Sequence, residues 1–209
     1  MELFFVVFAA LFSIMNPLST VPIFVSLTHE HTKAERSSIA MKTAFNVWII
    51  LFISYFVGKY ILLFFGISVD SLKIAGGLII ASSGFALLTG KFSEHKGMKR
   101  DKVKKDIASR EDIALTPLAI PMIAGPGSIS LLISYNQESS GWMYTLIVLG
   151  AILTCCILIF FMLRGSHLIV KVLGASGINA LSRIVGFIVI AIGIEFIISA
   201  GLNVINMLE

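Results

Sequence analysis

The stretch "ALTPLAIPMIAGPGSIS", residues 114–130, decides how this chain is read. It lies in a segment apolar enough to cross a membrane, yet it holds three prolines and two glycines. A proline inside a helix removes an N–H donor and frees the carbonyl four residues earlier. In hydrocarbon an unsatisfied backbone group costs several kcal/mol, so such a break must face protein or water. A shorter relative, "SIMNPLSTVP", residues 13–22, opens the chain. A membrane-type helix is thus interrupted twice, about one half-chain apart.

The surroundings of these breaks are strongly apolar. The 209 residues are 57% hydrophobic and 13% charged, with mean hydropathy +0.96, whereas a soluble domain carries about 25% charged residues. Six apolar runs, about 3–27, 40–64, 71–90, 113–135, 142–164 and 183–205, predict six transmembrane helices. A β-barrel is excluded, because barrel strands alternate instead of running continuously apolar. The first run lacks a basic n-region and a small-residue cleavage pattern, so it is read as a retained helix and not a signal peptide. Cys155 and Cys156 are adjacent, point in different directions on a helix and form no metal site.

Charge distribution sets the expected orientation. Between the third and fourth runs lies "KFSEHKGMKRDKVKKDIASRED", residues 91–112, read as a solvated polar loop. With six spans, fourteen of the sixteen Lys and Arg residues fall in the 1–2, 3–4 and 5–6 connections and their flanks. Lys59 and Lys73 fall on the other side. The positive-inside rule then places the 91–112 loop in the cytoplasm and both termini outside. The net charge of +4 is explained by topogenesis, so no nucleic-acid partner is expected.

An internal repeat is legible. Shifted by 110, "LKIAGGLIIASSG", residues 72–84, meets "SRIVGFIVIAIGI", residues 182–194, with Lys73 on Arg183 and Gly76 on Gly186. Shifted by 109, Pro17 falls on Pro126 and Ser19 on Ser128, and "FGIS" meets "LGAS" at a shift of 108. The alternative match of "NPLSTVP" to "TPLAIP", at a shift near 100, disagrees with the other offsets. The chain therefore divides into residues 1–90, the 91–112 loop, and 113–209. Three spans per half force the second half to enter from the opposite side, the inverted-repeat arrangement of secondary transporters. The expected fold is an all-α integral membrane protein of two inverted three-helix repeats, with the first and fourth helices interrupted.

The breaks carry a chemical expectation. Asn is a good N-cap and Pro is favoured at the first helical position. Asn16-Pro17 and Gly125-Pro126-Gly127-Ser128 therefore read as helix starts in mid-membrane, and Thr116-Pro117 as a third candidate. Such starts present free N–H groups and the positive end of the helix dipole, a setting suited to a carboxylate. Hydroxyls of Ser19, Thr20, Ser128 and Ser130 and the Asn16 amide are expected to add hydrogen bonds, with Gly125 and Gly127 letting a ligand approach the backbone. Glu195, near the middle of the sixth run, is a candidate for proton coupling. Asn46 is a candidate for the pocket or for a bond across helices. Gly76, Gly77, Ala81 and Gly84 form a stripe expected to permit close helix packing. His29, His31, His95 and His167 lack metal-ligand spacing, and no metal or cofactor is read.

On "NPLSTVPIF" (16–24), "IAGG" (74–77), "TPLAIPMIAGPGSIS" (116–130) and "RIVGFIVIAIGIEFI" (183–197), the chain resembles the MarC family of six-span bacterial inner-membrane proteins. That resemblance covers nearly the whole chain and implies an inner-membrane location. It also implies transport of small neutral amino acids, as described for some members. Glu195 stands where the family pattern suggests an amide, so a shared role there is not implied. The function read is a secondary transporter of small neutral amino acids of the glycine or alanine type. Its partners are that substrate, a coupling proton or sodium ion, and the bilayer. Direct ATP drive is not expected without a phosphate-binding loop. The alternatives are a channel-like pore, which needs a continuous polar lining, and a non-transporting intramembrane protein. An enzyme is not expected, since no nucleophile–base pattern lies in a span.

Overall fold

Helix α1, Glu2–Met15, is apolar from Leu3 to Phe12 and carries a stacked ladder of Phe4, Phe8 and Phe12. It stops because Pro17 follows two residues later. The residue before a proline is disfavoured in the right-handed helical region, and in the computed structural model Asn16 turns left-handed, φ 40° and ψ 65°. The model describes residues 2–90, 113–138 and 141–206, and Asn16 is the only non-glycine residue with positive φ among them. Asparagine is one of the few side chains that enter this region readily. Helix α2, Pro17–Leu27, then departs at 42° to α1.

A capping box starts α3, Lys33–Phe65: the Thr32 side chain accepts from Glu35 N, and Glu35 Oε2 accepts from Thr32 N at 2.7 Å. At 33 residues the helix is about 50 Å long, and it begins seven residues before the apolar run that predicted it. It ends on Gly66, left-handed at φ 65°. Ser68 caps α4, Val69–Leu88, accepting from Ser71 N at 3.1 Å. Residues 91–112, read from sequence as a cytoplasmic loop, lie outside the described residues.

The segment Ala114–Ile123 is not a regular α-helix. Thr116 (φ −129°, ψ 119°) and Ile120 (φ −118°, ψ 128°) are extended, each directly before a proline, as steric crowding by the proline ring requires. Both X–Pro bonds are cis. Wider, five-residue hydrogen bonds such as Ala124 N to Ala119 O, 2.8 Å, hold the segment. Regular helix resumes only at Pro126, where α5, Pro126–Glu138, leaves at 65° to the preceding segment. This corrects the expectation that Thr116-Pro117 starts a helix: Pro121 interrupts the chain again before a full turn can close. Helix α6, Trp142–Arg164, and helix α7, Ser166–Asn206, complete the chain. A break at Gly174 (φ 65°) leaves Ser176–Asn206 as the long apolar part of α7.

Among the described residues four helices are long and apolar enough to cross a membrane, and up to six spans result if each bent pair is one span. The core lies where α1, α3, α6 and the Ala114–Ile123 segment meet, around Leu11, Leu51, Tyr55, Leu118, Met122 and Ile152. Both Cys155 and Cys156 are buried there, since α6 is packed by α1 on one side and α3 on the other. Large apolar side chains such as Phe64, Phe65, Trp142 and Phe187 cover the outside, as expected of a surface that meets lipid.

The α4–α7 contact is the most extensive helix pairing among the described residues. A Cβ added to Gly77 would lie 2.5 Å from Gly193 O, and one added to Gly84 would lie 2.7 Å from Gly186 O. The glycine stripe therefore does what the sequence suggested: it lets two backbones touch. Because Gly77 meets Gly193 while Gly84 meets Gly186, the two helices run antiparallel. The two pairs map onto each other at a shift of 109, not the 110 read from the third and sixth apolar runs. The same shift relates the starts of α2 and α5, Pro17 and Pro126, and the starts of α3 and α6, Lys33 and Trp142. The left-handed glycines Gly66 and Gly174 stand 108 apart.

Candidate functional site

All five prolines of the chain lie in the two interrupted stretches, and folding brings those stretches side by side. Gly127, second residue of α5, has its Cβ position 3.2 Å from Ile14 Cγ2, just before the first break, and 2.9 Å from Ile80 Cγ1, midway along α4. Gly127 is thus required by packing against two isoleucines. The sequence reading gave it a different reason, approach of a ligand to backbone. Gly125 is buried and has no positive φ.

Each start carries its own polar dressing. The first turn of a helix presents N–H groups without an intrahelical acceptor. At α2, Ser19 N donates to Asn16 O at 3.2 Å; at α5, Ile129 N donates to Gly125 O at 3.2 Å. Asn16, only 2% exposed, occupies the N-cap position but does not cap with its side chain. Its Nδ2 donates instead to Ser19 Oγ at 2.9 Å, and Ser19 Oγ pairs with Ser182 Oγ of α7 at 2.8 Å. The left-handed backbone aims the amide along the first turn and not back across it. Ser128 Oγ donates to Gly125 O at 2.9 Å, the same three-residue reach as the Asn16–Ser19 bond. Ser130 Oγ donates to Leu72 O of α4 at 3.3 Å and packs on Gly76.

Thr20 is the exception. It is fully buried in α2, and its Oγ1 has no hydrogen-bond partner among the described residues; Ser134 Oγ of α5 is in the same condition. A buried hydroxyl left unpaired costs roughly 1–3 kcal/mol. Each break therefore leads into a helix bearing an unpaired buried hydroxyl, Thr20 in the fourth position of α2 and Ser134 in the ninth of α5.

The remaining candidates stand apart. Pro17 is buried and Pro126 exposed, each opening its helix. Thr116 is half-buried in extended backbone ahead of the second break. Asn46 is half-buried on α3 and forms no hydrogen bond among the described residues. Glu195 is exposed. It lies thirteen residues along α7 from Ser182, about 20 Å from the Ser19 contact. Ser182 and Ser134 were not singled out from sequence. A serine next to Arg183 or ending an apolar run carries no local signal, and only helix rotation turns either one inward.

At one end of the bundle, Arg36 of α3 ties three elements together. Its Nε donates to Thr28 O at 3.0 Å and its Nη2 to His29 O at 3.2 Å, closing the end of α2. Its Nη1 contacts His167 Nε2, ahead of the long apolar part of α7. Slight desolvation of this exposed ring and the adjacent Arg36 guanidinium hold the His167 imidazole below its ordinary pKa, favouring the neutral ring that can accept this bond.

Comparison with known proteins yields a family and no fold precedent. The model of the MarC family, integral membrane proteins, matches residues 1–205. The membrane protein YhcE of Escherichia coli K12 is 38% identical over 198 residues, covering 94% of this chain and 90% of that protein. A membrane protein of Buchnera aphidicola from Schizaphis graminum is 36% identical over 190 residues, 91% and 87% of the two chains. The inner membrane protein MarC of Citrobacter koseri is 33% identical over 207 residues, 94% and 92% of the two chains. No solved structure matches the chain significantly.

Proposed function

The chain belongs to the MarC family of integral membrane proteins, and from that premise and the two packed helix breaks we propose that it is a secondary transporter of small neutral amino acids in the bacterial inner membrane. In this proposal each bent pair is one span. The six spans form two inverted three-helix repeats, residues 1–90 and 113–209, with both termini periplasmic and residues 91–112 in the cytoplasm. The repeated starts at Pro17 and Pro126 and the self-complementary α4–α7 glycine contact support that arrangement. The inner-membrane assignment draws on the relatives named MarC.

One observation carries the functional reading. The start of α5 packs against the end of α1, just ahead of the α2 start, and α2 holds a buried hydroxyl, Thr20 Oγ1, with no partner among the described residues. Helix N-termini favour anions, and in a membrane interior they are worth having only if a group arrives to use them. An amino-acid carboxylate fits that chemistry. A proton or sodium ion is the coupling partner in this scheme, and alternating access moves one repeat against the other about the glycine contact.

The experiment is counterflow in proteoliposomes with labelled glycine, alanine, serine, leucine, lysine and glutamate. Small neutral substrates are expected to accumulate transiently, and alaninamide, lacking the carboxylate, is expected not to compete. Thr20→Val is expected to raise thermal stability, because it removes an unpaired hydroxyl. It should weaken alanine binding about ten- to a hundredfold, the worth of a charge-assisted hydrogen bond of roughly 1.5–3 kcal/mol. Competition by alaninamide equal to that by alanine would sink the helix-start mechanism. Absence of counterflow for every compound would sink amino-acid transport itself.

A further inference from the structure

Arg36 is fixed at one end of the bundle with its charge unmatched. Of the five N–H groups of a guanidinium, three are used here, by Thr28 O, His29 O and His167 Nε2. None of these acceptors is anionic, and no carboxylate pairs with Arg36 among the described residues. The two acids nearest to it in sequence are engaged elsewhere: Glu35 Oε2 accepts from Thr32 N at 2.7 Å, and Glu30 lies 3.9 Å from His29. Two N–H groups, one on Nη1 and one on Nη2, are left without an acceptor among the described residues. The positive-inside rule accounts for basic residues near the ends of spans. It does not account for a half-buried guanidinium held by two carbonyls with no counter-charge.

The segment that brings His167 to Arg36 is itself amphipathic. Residues 166–173 open α7 and are set off from its long apolar part by the left-handed Gly174. His167 and Lys171, four apart, share one row; Leu168 and Val172, also four apart, share the next, about 100° around the helix. Leu168 is 66% and Val172 73% exposed. Lys171 is exposed as well and pairs with no acid among the described residues. Depth follows from α6, whose 23 residues span about 35 Å and so cross the hydrocarbon layer. His167 comes three residues after its last residue, Arg164, which puts the cluster at the level of the lipid headgroups.

We propose that Arg36, His167 and Lys171 form a site for the headgroup of an anionic phospholipid, its phosphate on the two unused N–H groups of Arg36 and its acyl chains along Leu168 and Val172. A guanidinium presents donors in a fixed fork that matches phosphate oxygens. A phospholipid carries its phosphate at headgroup depth with apolar chains attached, and the segment offers a basic row beside an apolar one in the same order. Two cations without acids favour a headgroup of net negative charge over a zwitterionic one. Because Arg36 also holds the end of α2, the bound lipid would brace the junction of α2, α3 and α7. The proposal rests on the membrane location and not on the transported substrate.

The test is binding of fluorescent phosphatidylglycerol to the full-length protein in uncharged micelles. Phosphatidylcholine with the same chains, whose headgroup carries a compensating cation, should bind more weakly, and millimolar inorganic phosphate should not displace phosphatidylglycerol. Lys171→Gln, which removes no contact within the protein, should weaken phosphatidylglycerol binding about fivefold. Arg36→Gln should weaken it about ten- to a hundredfold; because that change also unties α2, Lys171→Gln is the deciding variant. Lys59→Gln, near the opposite end of α3, should bind as wild type does. Equal binding of phosphatidylcholine, displacement by inorganic phosphate, or equal losses in Lys171→Gln and Lys59→Gln would overturn the proposal.

Discussion

The α4–α7 glycine contact offers the sharpest test of the packing, because a single added methyl meets backbone there. In Gly193→Ala the new Cβ would lie 2.6 Å from Gly77 O, 2.6 Å from Ala81 N and 3.0 Å from Ala81 Cβ. Ordinary contact begins near 3.4 Å. The helices must part by about 0.8 Å, an overpacking strain of roughly 1–3 kcal/mol that no rotamer change relieves. Gly150→Ala on α6 is the matched control. Its Cβ would meet only Phe4 Cε2, at 3.9 Å, so it gains the better helix propensity of alanine, about 1 kcal/mol, without the clash. Measured by thermal unfolding in detergent, Gly193→Ala should melt below Gly150→Ala by about 2–12 °C, taking 2–4 °C per kcal/mol. Gly77→Ala opens the same interface from the other side, its Cβ lying 2.5 Å from Gly193 O. The double variant should therefore lose less than the sum of the two single losses, since one displacement accommodates both methyls. Equal melting of Gly193→Ala and Gly150→Ala, or strict additivity in the double variant, would refute the close backbone contact.

Three further outcomes are expected. Asn16→Ala must hold a left-handed backbone and lose the bond to Ser19 Oγ, so it should cost about 1–2 kcal/mol. Asn16→Gly should recover most of the backbone part, and similar melting of the two variants would discount the left-handed turn. The His167 pKa is lowered in the folded protein, so the neutral ring's contribution is complete above the ordinary value of about 6.5 and disappears as pH falls through that value and then the folded one. Melting temperature should therefore drop between pH 8 and pH 5 more in wild type than in His167→Gln, and parallel curves would contradict the assignment. A periplasm-active reporter fused after Glu209 should be active, and one inserted at Lys99 silent; the reverse pattern would overturn the orientation and the inverted-repeat proposal with it.

The local features of this protein are written in its sequence, because covalent chemistry enforces them wherever the chain folds. Apolar runs of span length imply helices in lipid, since only an internally bonded backbone is tolerated there. Asn16-Pro17 and Gly125-Pro126 had to break a helix, because proline lacks the donor and crowds its predecessor, and both breaks are where the sequence placed them. The glycine stripe on α4 announced a close helix neighbour without saying which residues of that neighbour it meets. The reading failed at Thr116, where one X–Pro pair looked like a helix start; a second pair four residues on prevents any regular turn between them. What the tertiary structure alone decided is rotation and company. Nothing local tells Ser182 to meet Ser19, 163 residues away, or leaves the Thr20 hydroxyl buried without a partner among the described residues. Nor does local sequence cradle Gly127 between Ile14 and Ile80 or turn Glu195 outward while its neighbour Gly193 packs inward. In a helix that is apolar on every side, periodicity does not say which face is inside. Only the fit of one helix against another, measured here in single methyl groups, makes that choice.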